Sequence, residues 1–213
     1  MSTVRLTHNK ISLALHQLQE GDGQVLLLLH GLGESSPTVV PPVAAGWTGA
    51  VWALDFTGHG ESTVPSGGGY TCEVLASDVD IALAHLGTAT VYGRGLGAYV
   101  GLLASGARPE LVNGLIVGDG PGLAGGSVGP SSATWIDPAE YGVAPDRFAL
   151  AELSTDIRPP DYATSFARLL LTQSPLEVPL VVTAMNIAAW VEAIAAEPGV
   201  VTESLVDAMK RYQ

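Results

Sequence analysis

Gln24-Val25-Leu26-Leu27-Leu28-Leu29-His30-Gly31-Leu32-Gly33 is an unbroken apolar run that stops in a glycine turn. A strand that is apolar at consecutive positions must be covered on both faces. Helices packed on either side of a mostly parallel sheet provide that cover, so the first expectation is an α/β fold. The rest of the chain repeats the pattern. Ala50 to Leu54 is a second buried strand, ending in Asp55-Phe56-Thr57-Gly58-His59-Gly60-Glu61-Ser62. Thr88 to Tyr92 is a β-branched strand, ending in Gly93-Arg94-Gly95-Leu96-Gly97. Leu115 to Val117 leads into Gly118-Asp119-Gly120, and Leu180 to Thr183 is a last buried strand. Tyr70 to Leu86 carries Val74, Leu75, Val79, Ala82, Leu83 and Leu86 at helical spacing, and Gly87 stops it. Leu96 to Ser105 is a small-residue helix able to lie close on a sheet, and Ile187 to Ala196 and Glu203 to Arg211 are further helices. Val4 to Thr7 and Ser12 to Gln19 read as an antiparallel edge pair.

Composition narrows the function classes. The 213 residues carry Lys+Arg 9 against Asp+Glu 21, a formal net charge of -12. So few cations argue against a nucleic-acid backbone or an anionic membrane surface as partner. The 47% hydrophobic content supports a core and argues against disorder, and one domain spanning 1–213 is expected. Gly, Pro and Ser crowd residues 121–161, which read as a reduced lid, not a second domain. Cys72 is the sole cysteine, so no internal disulfide forms. No basic head precedes an apolar segment at the N-terminus, and the window 178–195 contains Pro179, Asn186 and Glu192, a poor membrane span. A cytoplasmic location is the expectation.

Three glycine turns, each on a strand end and in this order, carry the chemistry: His30 to Ser36, Asp55 to Ser62, and Gly93 to Gly97. Together they resemble the α/β-hydrolase superfamily, well over roughly residues 1–120 and loosely over 175–213. The resemblance implies a nucleophile elbow at Gly93-Arg94-Gly95-Leu96-Gly97, where the family pattern is G-x-S-x-G. It also implies a pocket formed by Gly31, Leu32, Gly33, Arg94, Gly95 and Leu96, with the N–H groups of Leu32 and Leu96 as oxyanion donors. Here the nucleophile position is Gly95, which has no side chain to attack with. The family's triad ends in a C-terminal His, but no histidine follows His85. The chain reads as stopping short of the family's last strand. Where the family often carries its acid, the sequence is Thr183-Ala184-Met185-Asn186, which leaves Asp119 as the substitute.

The leading expectation is therefore a catalytically degenerate α/β hydrolase that keeps a pocket for a small apolar, acyl or aromatic molecule, or an interaction role. The alternative is an active hydrolase with a relocated nucleophile such as Ser35, or a water activated by Asp119 or a histidine such as His30. A purely structural subunit is the third class. His30 and His59 read as packing groups of their turns, Asp55 as an acceptor for its own turn, and Cys72 as a small buried residue. Arg94 is read either as an anion ligand or as a bridge to Asp119 or Glu34. No histidine pair has metal-ligand spacing, so no metal is expected. Gly31-Leu32-Gly33 fails the dinucleotide fingerprint because position 36 is Ser, so no cofactor is expected. A sheet lacking its last strand would expose an edge, which motivates an expectation of homo-oligomers.

Overall fold

The computed structural model describes residues 2–126 and 144–213. The chain runs β1 (Ser2–His8), β2 (Ile11–Gln19), β3 (Leu26–Leu29), β4 (Val51–Asp55), α1 (Cys72–Leu86), β5 (Ala89–Arg94), α2 (Leu96–Ala107) and β6 (Val112–Gly118). It continues through α3 (Arg147–Thr155), α4 (Pro160–Gln173), β7 (Leu180–Val182), α5 (Ala189–Ala195), β8 (Val201–Thr202) and α6 (Leu205–Arg211). The strands form one eight-stranded sheet in the order β1-β2-β4-β3-β5-β6-β7-β8. β1 and β2 are antiparallel to each other, β2 is antiparallel to β4, and all later pairings are parallel. The β1–β2 register closes at His8 opposite Ile11, a two-residue turn with Asn9 at φ 55. Asn is among the few residues that tolerate this conformation.

The apolar run at 24–29 is explained by its cover. Leu27 and Leu29 join the core under α1, α2, α4 and α5, while Leu26 and Leu28 join a second core with Ala208, Met209 and Tyr212 at α6. α1 starts where the Thr71 hydroxyl accepts the Val74 N–H and stops at Gly87, φ 79. The second face is thinly covered. Between β3 and β4 the chain makes only a single 3-10 turn, Pro42–Ala44, in place of a full crossover helix. Pro37, Pro41 and Pro42 lack the N–H groups a continuing helix needs.

One expectation needs correction. The sheet is not cut short at its last strand: β8 pairs parallel with β7 through Val181–Val201 and Val182–Thr202. Two residues are too few to show any periodicity, which is why the strand was not legible. What is short is the connection after it, Glu203-Ser204, before α6 begins. The two-residue β8 itself forms the edge of the sheet on that side. The stretch 121–161 contains a helix of its own, α3 at Arg147–Thr155. Its N-cap is Asp146, whose carboxylate accepts the Phe148 N–H. The remainder of that stretch, 127–143, lies outside the described residues. α4 was unassigned in the sequence; Pro160 begins it, and Ala163, Ala167 and Leu170 form its buried stripe. No helix among the described residues is long and apolar enough to cross a membrane.

Candidate functional site

The C-terminal ends of β3, β4, β5 and β6 meet at one edge of the sheet, and one buried carboxylate ties two of them together. Asp55, at the end of β4, accepts the Ser36 N–H at 2.7 Å, the Glu61 N–H at 2.7 Å and the His16 ring at 3.0 Å. Burial pushes its carboxyl up, but the bonds from Glu61, Ser36 and His16 outweigh that and hold it below the usual range. Asp55 thus serves its own turn and the turn after β3.

The histidines are spent in the same way. The Phe56 N–H donates to His30 Nε2 at 3.2 Å, which leaves Nδ1–H to donate to the Gly31 carbonyl at 2.8 Å. The ring is buried and neutral, and burial lowers its pKa. His59 accepts the Gly33 N–H at Nε2, 3.3 Å, and faces the Thr57 carbonyl at Nδ1, 3.3 Å. Burial and then the neighbouring His30 ring, 5.1 Å away, push His59 down to about 4. Ser35 is exposed, and its hydroxyl makes no hydrogen bond among the described residues. Neither ring nitrogen of His30 is free to serve it.

Arg94 pairs with Glu34, at 2.9 and 3.1 Å, and Glu34 also accepts the Gly31 N–H at 2.9 Å. Of the two carboxylates foreseen as bridge partners for Arg94, Glu34 is the one it meets. Asp119, at the end of β6, accepts the Met185 N–H at 2.7 Å and the Asn186 N–H and amide at 3.0 Å each. It clamps the chain that leaves β7. Burial raises its carboxyl slightly, and these bonds more than reverse the effect.

Gly31, Leu32, Gly33, Arg94, Gly95 and Leu96 do come together, at the junction of β5 and α2. Gly95 has φ 56 and ψ -116, a conformation that strains any residue with a Cβ. The corner is tight: a Cβ built on Gly93 would lie 2.3 Å from the Gly97 carbonyl oxygen. The N–H groups of Leu32 and Leu96 converge on a single acceptor, the backbone carbonyl of Pro121, at 3.0 and 2.9 Å. A Cβ on Gly95 would lie 2.1 Å from that same oxygen.

Pro121 was not singled out in the sequence, yet the run Gly118-Asp119-Gly120-Pro121-Gly122 held a signal. Glycines crowded around a strand end allow one backbone to approach another closely. The strap continues under further ties, with the Trp190 indole N–H donating to the Leu123 carbonyl at 2.7 Å and the Gly126 N–H to the Asp156 carbonyl at 2.9 Å.

A cleft of about 500 Å³ opens beside this corner, between the ends of β3 and β5 and the thinly covered face. Leu28, Tyr92, Pro41, Pro42 and Val43 supply apolar walls, and Arg94 and Glu34 stand at the rim. Among the described residues no group of His, Cys, Asp or Glu is placed to hold a metal ion.

A profile of the alpha/beta hydrolase family matches residues 26–208. The chain belongs to that family. A relative from Acinetobacter baylyi, described as an (E)-2-((N-methylformamido)methylene)succinate hydrolase, is 27% identical over 120 residues. That match takes in 55% of this chain and 44% of the relative, so it spans less than half of the relative's length. A thioesterase domain from the curacin biosynthetic pathway superimposes with a TM-score of 0.68 at 16% identity, over 99% of this chain and 97% of that one. A membrane phospholipase A does so with a TM-score of 0.57 at 18% identity, over 100% and 84%. At these identities the two structures share the fold alone.

Proposed function

We propose that this α/β hydrolase is catalytically silent and acts by binding a small apolar, acyl or aromatic molecule in the cleft beside Gly95. The observation that carries the reading is the Pro121 carbonyl. It accepts the N–H groups of Leu32 and Leu96, the two that the family resemblance assigns to a developing oxyanion. A substrate carbonyl would have to displace that oxygen before it could be polarised. Two further features support silence. Gly95 stands where the nucleophile belongs, and no histidine follows position 85 in the sequence. After β8 the chain offers Glu203 and Ser204 and then enters α6. A triad works as a unit, so absence of its members removes nearly all of its acceleration.

No observation favours relocation of the nucleophile to Ser35, whose hydroxyl has no hydrogen-bond partner, and so no base, among the described residues. Within this reading the chain is one domain, and residues 121–161 are a lid whose first part, the strap at 121–126, closes the reaction site. The cleft itself has mostly apolar walls, with His30, Glu34, Ser35, Ser36 and Arg94 as polar groups able to orient a ligand, the usual make-up of a small-molecule site.

Two measurements test the proposal. A fluorophosphonate probe should label no serine stoichiometrically; full labelling of one serine would overturn it. A thermal-shift panel of acyl and aromatic compounds should yield a binder that stabilises the chain by about 2.7 kcal/mol at a hundredfold excess over its dissociation constant. Val43→Trp, which fills the cleft from its proline wall, should remove that shift.

A further inference from the structure

A second polar centre lies away from the cleft, between α2 and the start of α4. Arg158 is 5% exposed and Tyr99 1%. The guanidinium lies over the Tyr99 ring, 5.5 Å from its centroid, and Nη2 donates to the Leu153 carbonyl at 3.2 Å. Its Nε and Nη1, and the Tyr99 hydroxyl, are buried with no hydrogen-bond partner among the described residues. Among the described residues no carboxylate pairs with it there. Asp156, two residues earlier, is turned away: its carboxylate accepts the Cys72 N–H at 2.8 Å.

This arrangement is unusual on chemical grounds. Arginine does not lose its proton in proteins, so the group is a fixed positive charge. Buried charges are normally paired or fully hydrogen-bonded, and among the described residues this one is neither. The face of Tyr99 contributes an attraction but takes none of the free N–H bonds. A water molecule would satisfy a donor but bring no negative charge to the guanidinium.

We propose that Arg158 and Tyr99 form a binding site for one small monovalent anion, either a free halide or the carboxylate end of an organic ligand. The charge is limited to one because Asp156 and Glu73 both act on the neighbouring Cys72, and Glu73 also on Tyr99. A second negative charge would face those carboxylates with only one cation to balance it. The size is limited by the strap: a Cβ at Gly125 would lie 1.9 Å from Arg158 Nη1, so this glycine lets the backbone rest directly on the guanidinium. The site is independent of whether the chain is catalytically silent.

The test titrates the full chain with sodium chloride, bromide, acetate and benzoate. Ionic strength is held with sodium sulfate, a dianion the site should refuse, and acetamide and benzamide serve as uncharged controls. Calorimetry and the thermal midpoint should show saturable binding of a monovalent anion and none of the amides. Halide binding assigns a free ion; binding of carboxylates alone assigns the end of an organic ligand. Tyr99→Phe should weaken binding about tenfold, and Arg158→Met should abolish it. If Arg158→Met does not fold, the Tyr99→Phe effect decides. The proposal fails if no anion saturates below about 100 mM, if the amides match the carboxylates, or if Tyr99→Phe binds as the parent does.

Discussion

Gly95→Ser is expected to destabilise the chain by about 3–5 kcal/mol and to give no esterase. A residue with a Cβ held at φ 56 and ψ -116 costs roughly 1–3 kcal/mol. The new Cβ would also sit 2.1 Å from the Pro121 carbonyl oxygen, a contact that neither backbone can absorb. The strap must therefore lift, and the bonds from Leu32 and Leu96 go with it, at about 1 kcal/mol each. Many degenerate enzymes invite the thought that restoring the nucleophile restores the reaction. Here the restored hydroxyl would collide with the group that fills the donor pair, and no histidine follows His85 in the sequence to take its proton. Urea unfolding followed by tryptophan fluorescence reads the stability, and hydrolysis of p-nitrophenyl esters reads the activity. A Gly95→Ser protein as stable as its parent, or one with a burst of ester cleavage, would sink the idea that Pro121 occupies this corner.

How much of this was legible follows from where the information lies. The leucines at 26–29 announced a doubly covered strand, and the glycine turns at 31–33, 58–60 and 93–97 placed the strand ends, because both are local patterns. Gly95 was visible as a residue out of place in a motif. The chain's own closure of the site was not visible, because it depends on which backbone oxygen reaches Leu32 and Leu96 from a segment 25 or more residues away. Backbone acceptors are carried by every residue and leave no mark in a sequence. The same holds for His30 and His59, whose roles are set by Phe56, Gly31 and Gly33 backbone groups. β8 escaped because two residues have no period, and α4 because its polar face dilutes a narrow stripe of Ala163, Ala167 and Leu170.

The turn after β4 carries buried His59 and is held by buried Asp78 of α1, two groups whose titrations oppose each other, and their separation is the second large effect. His59 is pushed down to about 4, so below about pH 6.5 the unfolded chain takes up a proton that the folded chain refuses. Stability from this group is present near neutrality and is lost as pH falls from about 6.5 to about 4, by about 3 kcal/mol. Asp78 accepts the Thr57 N–H at 2.8 Å and the Thr57 hydroxyl at 3.0 Å, and burial, only partly offset by those bonds, pushes it up to about 7. The folded chain therefore keeps a proton that the unfolded chain releases above its ordinary carboxylate value. That contribution is lost as pH rises from about 4 to about 7, by about 4 kcal/mol. Over pH 4–6.5 the two slopes nearly cancel, so the parent should show a flat profile in that window. Asp78→Asn keeps an acceptor for the Thr57 N–H and removes one titration, so its stability should rise steeply from pH 4 to 6.5. His59→Gln keeps an acceptor for the Gly33 N–H and removes the other, so its stability should fall from pH 4 to 7. Urea midpoints measured at half-unit steps would show the opposite slopes. If both variants run parallel to the parent, neither group titrates as its burial requires, and the dry interior assigned to this turn is wrong.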